Sequence, residues 1–193
     1  MTGRGTGTVL LLAAGILLAV CGTVLAQEKE GPPAGNGPGV IEKVPLLAVG
    51  NAAPGFHLTD VTGAPYSYGE KGRRRPLLIA FFSVFCEPCR ARLPVLQGMQ
   101  DKYGGGGLDV VAVSLDGEVL NTTVAGFAQQ EGYTFRVLLD EVSGKRLFRV
   151  ADAYRVTEIP TLYLVNRAGR VAFAGTGRVE EESLEKAVRA ALR

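Results

Sequence analysis

Two cysteines, Cys86 and Cys89, are separated only by Glu87 and Pro88, at the point where an apolar run over residues 77–82 gives way to a predicted helix. With Cys86 at the strand-to-helix junction and Cys89 one turn later, the two side chains lie on the same side of the helix start. Their thiols are then within the reach that a disulfide requires, so a bond can form and break without movement of the backbone. The spacing therefore predicts a dithiol–disulfide pair.

The predicted surroundings of Cys86 favour its thiolate, which is the form of cysteine that attacks disulfides. A helix N-terminus offers unpaired backbone N–H groups and the positive end of the macrodipole. Pro88 suits the first turn, because the N–H that it lacks would have no partner there. Glu87 opposes a negative charge on Cys86, whereas Arg90 supports it, so the balance of the two charges stays open.

A static disulfide and half of a zinc site are the other interpretations of the pair. Structural zinc takes four ligands, and the one histidine of the chain, His57, lies far away in a predicted N-terminal strand. A structural bridge that closes so short a loop would contribute little to stability. Redox exchange is therefore favoured, with no metal and no cofactor besides the Cys86–Cys89 disulfide itself.

Length and charge restrict the remaining choices. A chain of 193 residues, of which 47% are hydrophobic, suits one domain with a core, and a second full domain would be crowded. The formal net charge is only +2, and the basic run at 73–75 has no interleaved aromatic residues of the kind that stack on nucleic-acid bases. That run is interpreted as a solvated loop, and no nucleic-acid partner is expected.

Residues 9–26 carry no charge and are preceded by a basic residue, which is the pattern of a secretion signal. Cleavage after Ala26 is preferred to an uncleaved membrane anchor, because Val24 and Ala26 provide a fair cleavage site; lipidation at Cys21 is a third version. Each version places the rest of the chain outside the cytoplasm, in a bacterial periplasm or at the outer face of the membrane, where disulfides persist. Beyond this segment the chain holds just two cysteines, which excludes a scaffold stapled by several bridges.

Composition divides the chain into three parts. Residues 1–26 form the signal peptide or membrane anchor, and residues 27–44, rich in glycine and proline, are predicted to be a flexible tether. Residues 45–193 form the folded domain.

Within the domain, predicted strands and helices alternate after a short extended pair whose turn lies at 61–65. The predicted strands cover 77–82, 108–116, 135–140, 161–165 and 171–175, and the predicted helices cover 88–103, 119–130, 144–154 and 179–192. This alternation indicates an α/β fold with a mostly parallel central sheet and helices on both faces. A short turn between the last two strands predicts a terminal antiparallel hairpin.

The stretch FFSVFCEPCRARLPVL, with Pro94 five places after the second cysteine, and the later stretch YRVTEIPTLYLVNRAGRV at 154–171 resemble a known family. They are similar to the extracytoplasmic thioredoxin-like thiol–disulfide oxidoreductases of the TlpA, ResA and CcmG type. The resemblance covers about residues 45–193. It implies a thioredoxin-like fold, in which a central mixed β-sheet is flanked by helices.

The resemblance also implies a substrate-binding groove beside the cysteines. A cis peptide between Ile159 and Pro160 would lie in a loop that faces the pair, and the groove would be lined by Phe85, Ile159, Pro160 and Thr161. A cis X-Pro bond is uncommon enough that it usually has such a function. From the residues alone, Pro160 could equally be an ordinary turn residue before a strand.

Three positions depart from the family pattern. Ala80 stands where thioredoxin keeps a buried aspartate, Phe85 replaces the usual tryptophan, and Arg92 replaces a glutamate that handles the proton of the resolving thiol in many ResA-like proteins. Arginine cannot accept a proton in a protein. One hypothesis is that Arg92 lowers the pKa of Cys89 electrostatically. The equal alternative is that Arg92 points to solvent and that Glu158 or water takes the proton.

The resemblance implies that Cys86 attacks a partner disulfide and that Cys89 resolves the mixed disulfide. We expect exchange with disulfides or dithiols of partner proteins, most of all as a reductant in cytochrome c maturation. Apocytochrome c is then a candidate substrate, and a membrane thiol donor of the DsbD or CcdA type is the expected source of electrons. The direction of exchange does not follow from the sequence.

Two alternative functions stay open. A peroxiredoxin-like peroxide reductase has Ser or Thr three residues before its reactive cysteine, where Ser83 stands, but the proline expected four residues before Ser83 is replaced by Ile79. A non-catalytic thioredoxin-like or copper-binding module is disfavoured, because copper chaperones of related fold use a later histidine and none follows His57.

Overall fold

The computed structural model describes residues 45–69, 75–142 and 148–193, all within one compact unit, Glu42–Arg193. The predicted signal or anchor segment, the lipidation site Cys21 and the tether at 27–44 lie outside these residues. In the part of the chain that is described, no helix is both long and apolar enough to cross a membrane.

Strands and helices alternate along the described chain. The strands are β1 (Phe56–Asp60), β2 (Pro65–Tyr68), β3 (Leu77–Phe82), β4 (Asp109–Ser114), β5 (Arg136–Leu139), β6 (Thr161–Val165) and β7 (Val171–Thr176). The α-helices are α1 (Glu87–Arg90), α2 (Leu93–Tyr103), α3 (Asn121–Gln130), α4 (Arg149–Ala153) and α5 (Glu181–Leu192), and a 3-10 turn at Glu118–Leu120 precedes α3. The predicted strands at 77–82 and 161–165 are confirmed to the residue, and most other ends move by one or two residues.

The seven strands form one mixed sheet in the order β2-β1-β5-β4-β3-β6-β7. The expected terminal hairpin is confirmed, and β6 and β7 are joined by a turn in which Gly169 has a positive φ of 72°. The expectation of a mostly parallel sheet is wrong, because only the pairs β3–β4 and β4–β5 are parallel. The hairpins β1–β2 and β6–β7 supply two of the four antiparallel pairs, since a short turn can join only antiparallel neighbours, and β1–β5 and β3–β6 supply the other two.

The strand register shows which ends of the strands share an edge of the sheet. Phe82 pairs with Ser114, and Ser114 pairs with Leu139, so β3, β4 and β5 all end at one edge. Thr161, the first residue of β6, pairs with Phe81 near the end of β3. The chain therefore leaves three strands and enters a fourth at this same edge.

Two cores lie on opposite faces of the sheet, and β3 contributes to both. Leu78, Ala80 and Phe82 point into the first core, which is covered by α2, α3 and α5. Leu77, Ile79 and Phe81 alternate with them and point into the second core, which is covered by α4 and the N-terminal segment. All six residues of β3 are buried, as the apolar run predicts, and helices on both faces are confirmed.

The predicted single helix at 88–103 is broken into α1 and α2. Pro94 lacks the N–H that would donate to the carbonyl of Arg90, and its ring would clash with that carbonyl in a continuous helix. Ala91 and Arg92 form the break. The first cysteine-bearing turn is therefore a separate element from the longer helix behind it.

The predicted helix at 144–154 begins later than expected. Phe148 is extended, and α4 begins at Arg149; residues 144–147 lie outside the described residues. The buried carboxylate of Asp140 accepts the backbone N–H groups of Val150 and Ala151, at 2.8–3.1 Å. A carboxylate from the loop after β5 thus satisfies the N–H groups of the first turn, which sets where the helix starts.

Candidate functional site

Three loops meet at the edge where β3, β4 and β5 end. The loop at 83–86 follows β3 and leads to the cysteines, the loop at 115–117 follows β4, and the loop at 155–160 precedes β6. These segments are far apart in sequence, and the parallel pairing of β3 with β4 and the antiparallel pairing of β3 with β6 bring them together.

Cys86 and Cys89 form a disulfide, with their Cα atoms 5.1 Å apart. Cys86 is the N-cap of α1, and its Sγ accepts the backbone N–H of Cys89 at 3.2 Å. Cys86 is partly exposed, whereas Cys89 is 0% exposed and belongs to the first core. A partner molecule can therefore reach the sulfur of Cys86 and not that of Cys89.

The helix that begins at Cys86 is shorter than the sequence predicts. Glu87 and Pro88 are exposed in its first turn, and α1 ends at Arg90. The macrodipole is the sum of aligned peptide dipoles, so a helix of four residues provides only a small part of it. The N–H of Cys89 supplies the direct contact, and Glu87 and Arg90 stand on the same turn with opposite charges.

The cis peptide between Ile159 and Pro160 is confirmed. Thr161 donates its hydroxyl to the carbonyl of Glu158 at 2.6 Å, and the carbonyl of Pro160 accepts the N–H of Gly177 at 2.8 Å. Pro160 and Thr161 are buried, whereas Ile159 is partly exposed and packs against both cores. The loop before β6 is thus held from both sides and presents Ile159 at the surface.

Phe85 is 71% exposed, which is unusual for so large an apolar side chain. It directly precedes Cys86, so an apolar surface adjoins the reachable sulfur. On the other side of α1, a groove of about 290 Å³ is lined by Glu87, Arg90, Ala91, Pro94, Phe127, Glu131 and Tyr133.

Arg92 does not simply point to solvent. Its side chain is partly buried, and Nη1 donates to the carbonyl of Val179 at 3.0 Å, which ties the break between α1 and α2 to the loop before α5. Ala80 is 2% exposed and lies in the first core together with Cys89. Ala80 therefore places an apolar side chain where thioredoxin has its buried aspartate.

Ser83 and Asp116 form a hydrogen-bonded group beside the cysteines that the sequence pattern did not indicate as part of the site. Ser83 donates its hydroxyl to Asp116 Oδ1 at 2.5 Å, and the N–H of Val84 donates to Asp116 Oδ2 at 3.0 Å. A signal was present, since Ser83 directly follows the predicted strand at 77–82 and Asp116 is the last residue of the predicted strand at 108–116, in a sheet expected to be mostly parallel. Parallel neighbours end at the same edge, so polar residues just after them come close together.

His57 lies in β1, and its Nδ1 is 2.7 Å from the hydroxyl of Ser67 in β2. Across the described residues, no three side chains of His, Cys, Asp and Glu come together as a set of metal ligands.

A sheet with this strand order, carrying a buried thiol in a disulfide with a reachable one, defines a thiol–disulfide oxidoreductase of the thioredoxin-like class. The chain belongs to the AhpC/TSA family, whose model matches residues 49–174. It is 30% identical over 140 residues to the thiol-disulfide oxidoreductase ResA of Geobacillus kaustophilus (strain HTA426), covering 72% of this chain and 76% of that protein. It is 29% identical over 139 residues to ResA of Bacillus subtilis (strain 168), covering 72% and 73%.

Solved structures show the same fold. A Chlorobium tepidum protein described as a candidate thiol:disulfide interchange protein DsbE has a TM-score of 0.65 at 31% identity, covering 76% of this chain and 99% of that one. A thioredoxin family protein from Chlorobium tepidum TLS has a TM-score of 0.61 at 21% identity, covering 74% and 96%, and supports the fold alone. The predicted thioredoxin-like fold with a central mixed sheet is confirmed.

Proposed function

We propose that this protein works outside the cytoplasm as a reductant of disulfides in partner proteins, as in cytochrome c maturation. The observation that carries the proposal is the unequal exposure of the two thiols: Cys86 is reachable and Cys89 is fully buried. The uncharged segment at 9–26 and the similarity to ResA support a site of action outside the cytoplasm.

In the first exchange, the Cys86 thiolate attacks one sulfur of the partner disulfide. A bond from Cys86 to that sulfur forms as the partner disulfide breaks, and the other partner sulfur leaves as a thiolate that takes a proton from water. In the second exchange, Cys89 loses its proton and attacks Cys86, which forms the Cys86–Cys89 disulfide and releases the second partner sulfur. Two electrons and two protons pass from the dithiol to the partner.

The surroundings of the pair fit this order of events. The N–H of Cys89 is placed to donate to a negative sulfur on Cys86, since it already donates to that sulfur in the disulfide. Phe85 provides apolar surface next to Cys86, and Ile159 would form the other wall of a groove for the partner chain, with the buried Pro160 and Thr161 behind it. Glu87 and Pro88, exposed in the first turn, would meet the partner as well.

We further propose that the electrons are held by the two cysteines alone, with no added cofactor, and that nucleic acid is not a partner. Apocytochrome c is the candidate substrate, and a membrane thiol donor of the DsbD or CcdA type would restore the dithiol by the same steps in reverse. The similarity to a protein described as a candidate thiol:disulfide interchange protein supports exchange with thiols and disulfides in general.

The reduction potential of the Cys86–Cys89 pair tests the direction of exchange. We expect a value near or below about −270 mV, the range of thioredoxin-type reductants, when the full chain is equilibrated with dithiothreitol buffers. A value near about −120 mV, which is that of a strong periplasmic oxidant, would overturn the proposal of a reductant. Turnover of insulin disulfides in the same buffers shows whether exchange with a protein disulfide takes place at all.

The alternative functions have assays of their own. A peroxide reductase consumes hydrogen peroxide in the presence of dithiothreitol and does so without Cys89, whereas the proposed oxidoreductase reduces insulin and needs both thiols. A copper-binding module would bind Cu(I) stoichiometrically in a competition titration. Ser83, the residue that suggested a peroxidase, donates its hydroxyl to Asp116.

Replacing Arg92 by glutamine is expected to raise the pKa of Cys89 in the reduced protein, because a positive charge near a thiol stabilises its thiolate. Resolution of the mixed disulfide should slow below neutral pH in proportion to the lost thiolate. The measurement is the pH dependence of thiolate absorbance in a Cys86→Ser background, where Cys21 is also replaced.

Arg92→Lys is the matched control, since it keeps the charge and should keep the pKa. If Arg92→Glu speeds resolution and leaves the pKa of Cys89 unchanged, the electrostatic account is wrong. In that case Arg92 acts through its hydrogen bond to Val179 only, and another group takes the proton.

A further inference from the structure

The carboxylate of Asp116, in the loop after β4, holds the turn that leads into Cys86. Oδ1 accepts the hydroxyl of Ser83 at 2.5 Å, and Oδ2 accepts the N–H of Val84 at 3.0 Å and the hydroxyl of Ser114 at 2.7 Å. Ser114 is 0% exposed, and Asp116 itself is partly buried. Both oxygens are thus used to join the ends of two neighbouring strands.

The same turn is closed by Ser83 from within. The N–H of Phe85 donates to the hydroxyl oxygen of Ser83 at 3.1 Å, and the N–H of Cys86 donates to the carbonyl of Ser83 at 3.1 Å. The backbone N–H groups of three successive residues, 84–86, therefore all donate to Ser83 or Asp116.

The direction of entry matters for the chemistry of Cys86. Its sulfur accepts the backbone N–H of Cys89 at 3.2 Å, and the N–H of Cys86 itself donates to the carbonyl of Ser83, so the turn holds the residue that carries the sulfur. Phe85 belongs to the same turn and is exposed directly before Cys86 in the chain. A small change in the turn would move both the reactive atom and its apolar neighbour.

We propose that Asp116 is a positioning residue for the Cys86–Cys89 exchange, acting through Ser83 and the backbone of Val84. The inference rests on the proposed disulfide exchange and adds to it a part outside the CxxC motif. Asp116 touches neither sulfur in these contacts; it keeps Cys86 where the N–H of Cys89 reaches it.

Two substitutions separate the position of the carboxylate from its charge. Asp116→Ala removes every acceptor, so Ser83 and Val84 lose their partner and the turn is released. Asp116→Asn keeps the shape: its oxygen can still accept from Val84 and Ser114, and its amide can donate to Ser83, while the negative charge is gone. Positioning predicts that these two variants differ, whereas an effect of charge predicts that they agree.

Asp60 provides a matched control for loss of a turn-holding carboxylate. Its Oδ1 accepts the N–H groups of Thr62 and Ala64 at 2.9 Å and the hydroxyl of Thr62 at 2.6 Å, within the turn between β1 and β2. In the sheet, β1 is separated from β3 by β5 and β4, so Asp60→Ala breaks an equivalent set of bonds far from the cysteines. The effect of Asp60→Ala on the rate of disulfide exchange measures how much a destabilised turn elsewhere in the domain changes that rate.

The first measurement needs no partner protein. The reduced full chain is treated with iodoacetamide over a range of pH, and the rate of modification at Cys86 is followed by mass spectrometry. For Asp116→Ala we expect the midpoint of the pH profile to rise by about one unit, because the sulfur loses the aligned N–H of Cys89. Asp116→Asn and Asp60→Ala should leave the midpoint in place.

The second measurement is kcat/KM for reduction of insulin. We expect a loss of about tenfold to a hundredfold for Asp116→Ala, because misplacement of a reacting atom by up to about 1 Å lowers the rate by about this much. Asp116→Asn and Asp60→Ala should stay within about threefold of the wild type, which is the scatter expected of a structural change elsewhere. Ser83→Ala should show part of the loss, and Ser83→Thr, which keeps the hydroxyl, should recover it.

Two results would contradict the proposal. If Asp116→Ala and Asp116→Asn both lower the midpoint, Asp116 acts by its charge. If Asp116→Ala behaves as Asp60→Ala does, its role is only structural. If Asp116→Ala does not fold, the variants Ser83→Ala and Ser83→Thr test the positioning role by the same criteria. An inactive wild type would overturn the proposed function, and the iodoacetamide profile would still decide the role of Asp116.

Discussion

Replacing Cys86 by serine is expected to lower the rate of insulin reduction by about three orders of magnitude or more, to the level of the uncatalysed reaction. A serine hydroxyl does not ionise near neutral pH and cannot form a bond to sulfur that a second thiol would resolve. Cys89→Ser should also stop turnover, but at a later step. Its Cys86 can still attack, so the mixed disulfide with the partner should accumulate.

Non-reducing electrophoresis of the full chain with a disulfide-containing substrate distinguishes these outcomes. Cys89→Ser should give a new band at the summed mass of the two proteins, and Cys86→Ser and the double variant should give none. Cys21→Ser is the control for the third cysteine of the chain and should behave as the wild type. Trapping by Cys86→Ser instead of Cys89→Ser would contradict the assignment, because it would mean that the buried thiol attacks first.

Replacing Tyr154 by alanine is expected to lower the free energy of unfolding by about 3–5 kcal/mol, as removal of a large buried aromatic side chain does. Tyr154 is 0% exposed, and its ring centroid lies 5.6 Å from that of Phe81 and 5.4 Å from that of Tyr163. Its hydroxyl donates to the carbonyl of Pro54 at 2.9 Å. Burial raises the pKa of Tyr154, so the donor keeps its proton throughout the neutral range.

Urea unfolding of the oxidised protein measures the loss, and Tyr154→Phe is the matched control. Phenylalanine keeps the ring and removes one hydrogen bond, so it should cost only about 1 kcal/mol. Where both variants are folded, the reduction potential should not change, since Tyr154 lies in the second core and Cys89 in the first. A loss for Tyr154→Ala no greater than that for Tyr154→Phe would show that the ring contributes little to this core.

Much of the fold could be predicted because strongly apolar runs leave little choice. The run at 77–82 is buried on both faces of the sheet, and the later run at 161–165 forms β6 with the predicted bounds. The Gly169 turn joined the last two strands as expected. In each case the information lies within a few neighbouring residues, where pattern and turn chemistry act directly.

The predictions that failed depended on distant parts of the chain. The helix at 88–103 is broken at Ala91 and Arg92, ahead of Pro94, and α4 starts at the turn that Asp140 holds from ten residues away. The direction of β6 beside β3 follows from where the chain emerges after α4, which no local pattern states. Of the two alternatives for Arg92, a side chain that simply faces solvent is wrong, since its partner is the carbonyl of distant Val179, and the electrostatic action on Cys89 stays a prediction.

By itself, the sequence determined the chemistry of the pair: two thiols three positions apart at the start of a helix lie within disulfide distance whatever surrounds them, because local backbone geometry sets their separation. Only the tertiary structure decided how far the two thiols differ in exposure and which residues hold the loops around them. Burial of Cys89, the closure of the Ser83 turn by Asp116 and the placing of Ile159 and Pro160 depend on the register of β3 with β4 and β6. Strand pairing joins residues about 30 to 80 positions apart through backbone hydrogen bonds and shared cores, and side-chain spacing along the chain does not contain that information.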